Sequence, residues 1–346
     1  LKQGSVDGDI DLLFVLAPNS LSDNELFAID QYLMKGGTII IATSPFAVEL
    51  KQNQLSATEK TSGLESWLKH FGISLSSQFV MDPNNSAFPV PVTRNAGGFT
   101  FQEIRMLDYP YFIDIRDGLN KDIGMTSDLG QLTISWAAPI EISKAASDQF
   151  KITPLLTSSS ESWLSDSTDI MPRIRMDGGK PFQPSDKTAS YNLGMMVEGS
   201  FSSYFQGKPL PVLETSKIDS ADEKNGDAGA DEQAKAFSGM IDQSSSNARL
   251  IIFSSEEFVE DQSVRFLASS TGASYNNSFQ LMANAADWSL EDRGLLSIRA
   301  RGHFNQTLPP MDKDQQLKWE IINYIASLTL LIPVSYTHLR AHETAD

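Results

Sequence analysis

The chain has 346 residues, 40% of them hydrophobic and 21% charged, which is enough to build one large or two ordinary domains around a sizeable core. Its formal net charge of −17 argues against nucleic acid as a partner, because that binding needs clustered Lys and Arg. The absence of cysteine excludes disulfides, thiolate metal sites and thiol nucleophiles.

The first elements predict a strand, a helix and a second strand. Ile10–Ala17 is an apolar run that indicates a buried strand. Ser22 and Glu25 have the spacing of a capping box, and apolar residues then recur at helical spacing until Gly36-Gly37 ends the pattern. Thr38–Ala42 is β-branched and apolar, which is typical of a parallel strand.

The middle of the chain alternates short elements with loops. Leu64–Phe71 predicts a helix and Ile73–Val80 a strand, whereas three prolines and two glycines make Met81–Gly98 a predicted loop. Further predicted strands are Tyr109–Ile115, Leu132–Trp136, Lys151–Leu156, Tyr191–Glu198, Arg249–Ser254 and Leu295–Arg299, and Phe279–Trp288 is a predicted helix. This order favours an α/β fold with an open, mostly parallel sheet flanked by helices and a β-rich excursion.

We expect one α/β domain over residues 1–315. Within it, residues 157–187 read as long surface loops, and residues 216–239 as a mobile acidic insertion with almost no large apolar side chain. The chain begins with Leu1 rather than Met, so we expect an upstream portion to be missing. Residues 335–346 resemble a translated sequencing-adapter read-through and are left out of the fold prediction.

Residues 316–334 begin as an amphipathic helix and become wholly apolar from Ile325. The uncharged stretch after Glu320 is shorter than the roughly 20 residues of a membrane span. Two interpretations stay open, the start of a truncated membrane helix and a packed C-terminal helix.

Motifs for chemistry are scarce. The sequence contains no dinucleotide fingerprint, no phosphate-binding loop and no nucleophile elbow, and Asp7–Asp11 departs from the calcium-loop pattern. His70 and His303 read as surface residues, and nothing positively supports a Ser–His–Asp triad. We therefore predict no catalytic residue, no metal site and no cofactor.

An open α/β sheet places ligands beyond the carboxyl ends of its strands. Here those ends are the loops Pro18, Asn19, Ser20 and Thr43, Ser44, Pro45, which are small, polar and turn-forming. They are our candidate residues for contact with a ligand or partner, and the alternative is that they only connect the elements.

Several blocks together resemble one protein family, the gliding-motility G-type auxiliary proteins of ABC transporters. The order and spacing of the blocks carry the likeness, since no single motif is specific. The blocks are Pro18–Gly37, Asp108–Phe112, Gly118–Asn120, Trp136–Ile140, Tyr191–Gly199 followed by Phe201, Ala248–Asp261, Asn284–Trp288, Leu295–Arg299 and the apolar C-terminal segment.

The resemblance implies an amidotransferase-like or flavodoxin-like fold in an extracytoplasmic domain at the bacterial inner membrane, facing the periplasm. It implies as partners an ABC-2-type permease and a separate ATPase subunit. It also implies attachment to the membrane through a missing N-terminal helix and a C-terminal helix that is truncated here. The family supplies no catalytic residues to carry over.

Three functional hypotheses follow. The first is a non-enzymatic auxiliary or scaffold domain of a transport system, and the second is a module that binds a small molecule or glycan at the strand ends. The third is a hydrolase or amidotransferase-like enzyme, although amidotransferase chemistry needs a nucleophilic cysteine that this chain lacks.

Overall fold

A computed structural model describes residues 1, 5–51, 54–96, 99–174, 181–208, 211, 240–271, 275–290, 315–327 and 329. The chain divides into two compact units, Leu1–Asn305 and Gln306–Asp346. In the second unit, residues 315–327 are helical. No helix among the described residues combines the length and apolar character that crossing a bilayer requires.

The first unit is rich in short strands. The strands are β1 (Leu12–Leu16), β2 (Thr38–Ala42), β3 (Phe46–Lys51), β4 (Gln54–Glu59), β5 (Ile73–Leu75), β6 (Phe79–Met81), β7 (Asn85–Ala96), β8 (Phe99–Ile115), β9 (Leu132–Ser135), β10 (Ile140–Ile142), β11 (Lys151–Thr157), β12 (Trp163–Ser165), β13 (Asn192–Glu198) and β14 (Arg249–Phe253). The helices are α1 (Asp23–Met34), α2 (Glu65–His70), α3 (Lys144–Gln149), α4 (Asp261–Thr271) and α5 (Asn277–Leu290), with a 3₁₀ turn at Glu257–Val259.

The central sheet is mixed and has the strand order β1-β2-β14-β13-β11. β1, β2 and β14 run parallel, whereas β13 is antiparallel to both β14 and β11. The remaining described strands form small antiparallel sheets, β10-β5, β12-β6, β3-β4 and β7-β8-β9.

The predicted fold class is therefore wrong: the molecule is not an open, mostly parallel sheet of the amidotransferase-like or flavodoxin-like kind. The error has a physical source in β13, whose residues are almost all buried. A strand buried on both faces is continuously apolar whichever way it runs, so its composition does not reveal its direction. Most of the other strands are too short for their sequence pattern to predict the small antiparallel sheets that they form.

The strand–helix–strand prediction at the start of the chain is confirmed. Ser22 caps α1, because its hydroxyl accepts from the Glu25 amide and the Glu25 carboxylate accepts from the Ser22 amide. β1 and β2 then pair in parallel from Leu12–Thr38 to Leu16–Ala42. β1 is not the buried strand we predicted, since it lies at the sheet edge and only Val15 is buried.

The predicted loop Met81–Gly98 is also wrong, because β7 occupies most of it. The interpretation rested on proline content, and Pro89 and Pro91 lie inside β7. Proline is tolerated on an edge strand, where its missing N–H faces away from the neighbouring strand. β7 is such an edge, as β8 is its only strand partner among the described residues.

Alternate side chains of the central sheet enter two hydrophobic clusters. Ile39, Ile41 and Leu250 pack with α1 and α2 on one face, and Ile40 and Ile251 belong to the cluster of α5 on the other. A third cluster joins β7, β8 and the aromatic residues around them. Both faces of the sheet are thus covered by packed helices and loops. A ligand site on this sheet is therefore expected at the strand ends.

The domain boundaries remain predictions. β12 lies inside the segment 157–187 that we predicted as long loops, and it pairs with β6. The predicted insertion 216–239, the strand Leu295–Arg299, His303 and the tail 335–346 lie outside the described residues.

Candidate functional site

The carboxyl ends of β1 and β2 lie side by side, because the two strands are parallel and end together at Leu16 and Ala42. The backbone stays paired just past these ends: the Ala17 amide donates to the Ala42 carbonyl at 3.0 Å, and the Thr43 amide donates to the Phe253 carbonyl at 3.1 Å. The two predicted loops therefore leave the sheet from adjacent positions.

Five of the six candidate residues line one cleft of about 660 Å³. They are Asn19, Ser20, Thr43, Ser44 and Pro45. Pro18 is buried and does not line the cleft. The rest of the lining comes from the end of β4 and the segment after it, from α2 and from the region of β5: Glu59, Lys60, Thr61, Ser62, Glu65, Leu68, Lys69, Ser74, Leu75 and Ser77.

The first loop is fastened to the segment that follows β4. Ser20 has a left-handed backbone (φ 51°), and its amide donates to the Thr61 carbonyl at 3.0 Å. The Leu21 amide donates to the Ser62 carbonyl at the same distance. At Gly63 (φ +88°) an added Cβ would stand 2.6 Å from the Leu21 nitrogen, so only glycine permits this close approach.

Glu65 organises the other wall of the cleft. Its carboxylate accepts from the Ser62 amide at 2.6 Å and from the Gly63 amide at 3.0 Å, and the Ser62 hydroxyl also donates to it. Partial burial pushes the Glu65 pKa upward, but these hydrogen bonds together hold the pKa below its usual value. Glu65 therefore stays ionised and acts as a fixed acceptor.

Lys60 is one of the two lysines that line the cleft. Its amide donates to the Pro45 carbonyl at 2.9 Å, and its ammonium forms an ion pair with Glu256, in which both side chains are largely buried. Burial raises the Glu256 pKa, and the hydrogen bond and charge of Lys60 oppose that shift. Because Lys60 belongs to the segment after β4 and Glu256 to the segment after β14, the pair ties these two segments together beside the cleft.

Glu257 follows on the 3₁₀ turn and is also buried. Burial, with the nearby charge of Glu260 next in importance, raises the pKa of Glu257 to about 7. The Val48 amide donates to its carboxylate at 3.3 Å. This carboxyl group thus titrates near neutral pH at the end of the sheet.

The residues on the far wall were missed by the sequence reasoning. A signal was present, because Ser62 and Glu65 have the same capping-box spacing as Ser22 and Glu25. The partnership of Lys60 with Glu256 had no such signal, since 196 positions separate the two residues.

The two histidines that we predicted as surface residues have different outcomes. His70 is exposed, with its Nε2 3.1 Å from the Ser202 carbonyl oxygen and 3.3 Å from the Ser202 hydroxyl. Within the part of the chain that the structure describes, no carboxylate contacts His70, so no triad is assembled there. His303 lies outside that part.

The cleft offers hydroxyl groups, an amide, two lysines and two acidic side chains, Glu59 and Glu65, of which Glu65 is already engaged by the Ser62 and Gly63 amides. Such a lining suits a small polar ligand that makes several neutral hydrogen bonds. Among the described residues, no group of three or more His, Asp or Glu side chains is placed to hold a metal ion.

Residues 1–285 match the model of a protein family described as "ABC-type uncharacterized transport system". The chain belongs to this family. An uncharacterized protein of Borreliella burgdorferi is 24% identical over 206 residues, which are 59% of this chain and 38% of that protein. The chain therefore spans well under half the length of this relative. No solved structure matches it.

Two blocks behind the family resemblance meet in the core of this member of the transport-system family. The indole N–H of Trp136 donates to the Tyr109 hydroxyl at 2.9 Å, and that hydroxyl donates to the Ile170 carbonyl at 2.8 Å. A third block contains Gly118, where an added Cβ would stand 1.9 Å from the Thr157 carbonyl oxygen. These residues are explained by packing and hydrogen bonding in the core.

Proposed function

We propose that this chain is a non-enzymatic, extracytoplasmic auxiliary domain of an ABC-2-type transport system of the gliding-motility kind. Its partners are a permease and a separate ATPase subunit, and it works at the periplasmic side of the bacterial inner membrane, attached through segments that include residues 316–334. Membership of the transport-system family, matched over residues 1–285, supports the transport role. The assignment to the gliding-motility kind of system rests on the resemblance of the sequence blocks to that family.

The hydrogen bonds accepted by two buried carboxylates are the observation that best supports a scaffold role. Asp82 accepts from the Ser159 amide and the Ser162 hydroxyl, both at 2.7 Å, and from the Asn84 amide at 2.8 Å. Its acceptor positions are filled by donors from separate segments, so this acid joins loops together. Asp30 has the same role between α1, α2 and the segment after β13.

Co-purification tests this function. A tagged copy of the protein, expressed in its own cells and extracted from membranes in mild detergent, is expected to bring down an ABC-2-type permease and its ATPase. The control is an untagged strain extracted in the same way. Recovery of the tagged protein from the soluble cytoplasm, free of both subunits, would contradict the proposal.

A second candidate function is binding of a small polar molecule or a glycan in the strand-end cleft. The observation that favours it is the convergence of Asn19, Ser20, Thr43 and Ser44 with Lys60 on one cavity. A glycan array probes this function directly. Ser74→Trp is expected to fill the cleft and abolish any binding. Ser66→Trp, on the exposed side of α2 and outside the lining, is expected to retain it.

A further inference from the structure

The β7–β8 hairpin ends in an arm, defined here as residues 89–96 and 99–108. The two strands pair in continuous register from Ala87–Asp108 to Ala96–Phe99. β9 covers the outer edge of β8 only at Phe112–Ile115. Over residues 101–108 no other described strand pairs with that edge, so a stretch of eight residues has an open edge.

The prolines of β7 show which backbone groups of β8 face this open edge. Pro89 lies opposite Met106, and Pro91 lies opposite Ile104. A proline nitrogen cannot donate, so both pairs suit the non-hydrogen-bonded positions of the antiparallel ladder. At those positions the N–H and C=O groups of Ile104 and Met106 point away from β7. The open edge therefore carries donors and acceptors that no strand among the described residues uses.

Both faces of the arm carry exposed apolar side chains. Ile104 is 68% exposed and Phe101 is 54% exposed, and because residues alternate along a strand they lie on opposite faces. Long exposed edges of this kind are usually protected by a charge, a proline or a covering segment, since they invite pairing with another strand. Apolar residues on both faces are typical of a strand inside a sheet rather than at its edge.

The charged residues of β8 indicate which strand would pair with its open edge. Glu103 and Arg105 are two residues apart, so they share a face, and neither forms an ion pair with another described residue. When an antiparallel strand pairs with its own copy, residue i faces residue j with i + j constant. The sum must be even, because facing residues must have the same hydrogen-bonding orientation. The two-fold axis therefore passes through a residue.

We propose that two copies of this chain associate by antiparallel pairing of their β8 edges, with the two-fold axis at Ile104. This register places Glu103 opposite Arg105 of the second copy, twice by symmetry, and Gln102 opposite Met106. An axis at Glu103 or at Arg105 would place like charges opposite each other. An axis at Gln102 or Met106 would leave both charges facing uncharged residues. Only the axis at Ile104 pairs the charges, as an isologous interface requires.

Charge reversal provides a test with an internal rescue. In Glu103→Arg alone, or in Arg105→Glu alone, both cross-strand pairs become like-charged, and we expect the dimer dissociation constant to rise about tenfold or more. An equimolar mixture of the two variants restores two opposite-charge pairs in the heterodimer, so dimers should reappear. Sedimentation equilibrium across a wide concentration range measures both effects, and differing tags identify the heterodimer.

The proposal is overturned if the unmodified chain stays monomeric at high concentration, or if the mixture associates no better than the separate variants. A monomer that binds vesicles of anionic phospholipid, and loses that binding in Phe99→Ser/Phe101→Ser, would instead show that the arm inserts into a membrane surface.

Cysteine trapping checks the register independently, because the natural chain has no cysteine to interfere. Facing residues in an antiparallel pair have Cα atoms about 4.5 to 5.5 Å apart, which suits a disulfide. Ile104→Cys, at the axis, is expected to form a covalent dimer under mild oxidation. Met106→Cys, the matched control on the same face, should not, because the two copies of residue 106 are four residues apart in register. Equal cross-linking of both variants would overturn the assigned register.

Discussion

The indole N–H of Trp67 donates to the Asp30 carboxylate at 3.0 Å, with both side chains fully buried. The same carboxylate accepts from the Tyr204 amide at 3.0 Å and from the Ser203 hydroxyl at 2.6 Å. One acid on α1 thereby holds α2 and the segment after β13 against the central sheet.

We predict that Asp30→Ala lowers the free energy of unfolding by about 3 kcal/mol, because it leaves several buried donors without an acceptor. Asp30→Asn keeps one acceptor oxygen and should lose less. Urea denaturation measures the difference, with the exposed Asp148→Ala as a control that is expected to change little. Equal stability of Asp30→Ala and the parent chain would show that the network does not stabilise the fold.

The cap of α1 gives a second prediction. Ser22→Ala removes the side-chain acceptor of the capping box, and we expect it to cost about 1 kcal/mol of unfolding free energy. Ser22→Asp supplies another good N-cap acceptor and should retain most of the stability. Thermal and urea unfolding of the two variants side by side check this order.

The titration of Glu257 makes stability depend on pH. Its pKa rises from an ordinary value of 4.5 to about 7 in the folded protein, so the folded state binds the proton more tightly than the unfolded state does. The contribution of this group to stability therefore falls as the pH rises from about 4.5 to 7, by about 3 kcal/mol, and is constant above that range.

Glu257→Gln is accordingly expected to stabilise the protein at pH 8 by up to about 3 kcal/mol and to have little effect at pH 4.5. Its side-chain carbonyl can still accept from the Val48 amide. Urea titrations at several pH values measure the difference, with Glu161→Gln on the surface as the control. A difference that stayed the same at all pH values would exclude Glu257 as the source.

The ion pair of Lys60 with Glu256 calls for a double-mutant cycle. Lys60→Met leaves a buried carboxylate without its cation and should destabilise the protein by about 3 kcal/mol at neutral pH. Glu256→Gln in the same chain removes the isolated charge, so the double variant is expected to recover much of that loss. Additive losses would mean that the two residues act independently.

Local patterns predicted the first elements well, because the information for them is local. Ser22, Glu25 and the glycines after α1 mark where that helix begins and ends. The direction of β13 and the presence of β7 were not predictable in the same way, since both depend on distant partners. In β7, Pro89 and Pro91 were interpreted as loop residues because their edge position is visible only in the assembled sheet.

One wall of the candidate site could be predicted from the sequence, and the other could not. The loops after β1 and β2 follow from the rule for strand ends, and five of their six named residues line the cleft. The opposite wall depends on contacts such as that between Lys60 and Glu256, which no spacing rule reveals. Whether the cleft binds a ligand stays a prediction.

The position of β14 in the sheet has a consequence for how the protein folds. Arg249–Phe253 lies between β2 and β13, so the centre of the sheet is completed by the strand that is synthesised after the other four strands of this sheet. Until then, the apolar edge of β2 has no partner on that side. Contacts between residues so distant in sequence slow folding, and they prolong the lifetime of partly folded, aggregation-prone intermediates. A chain of this topology is expected to depend on chaperone protection until β14 is added.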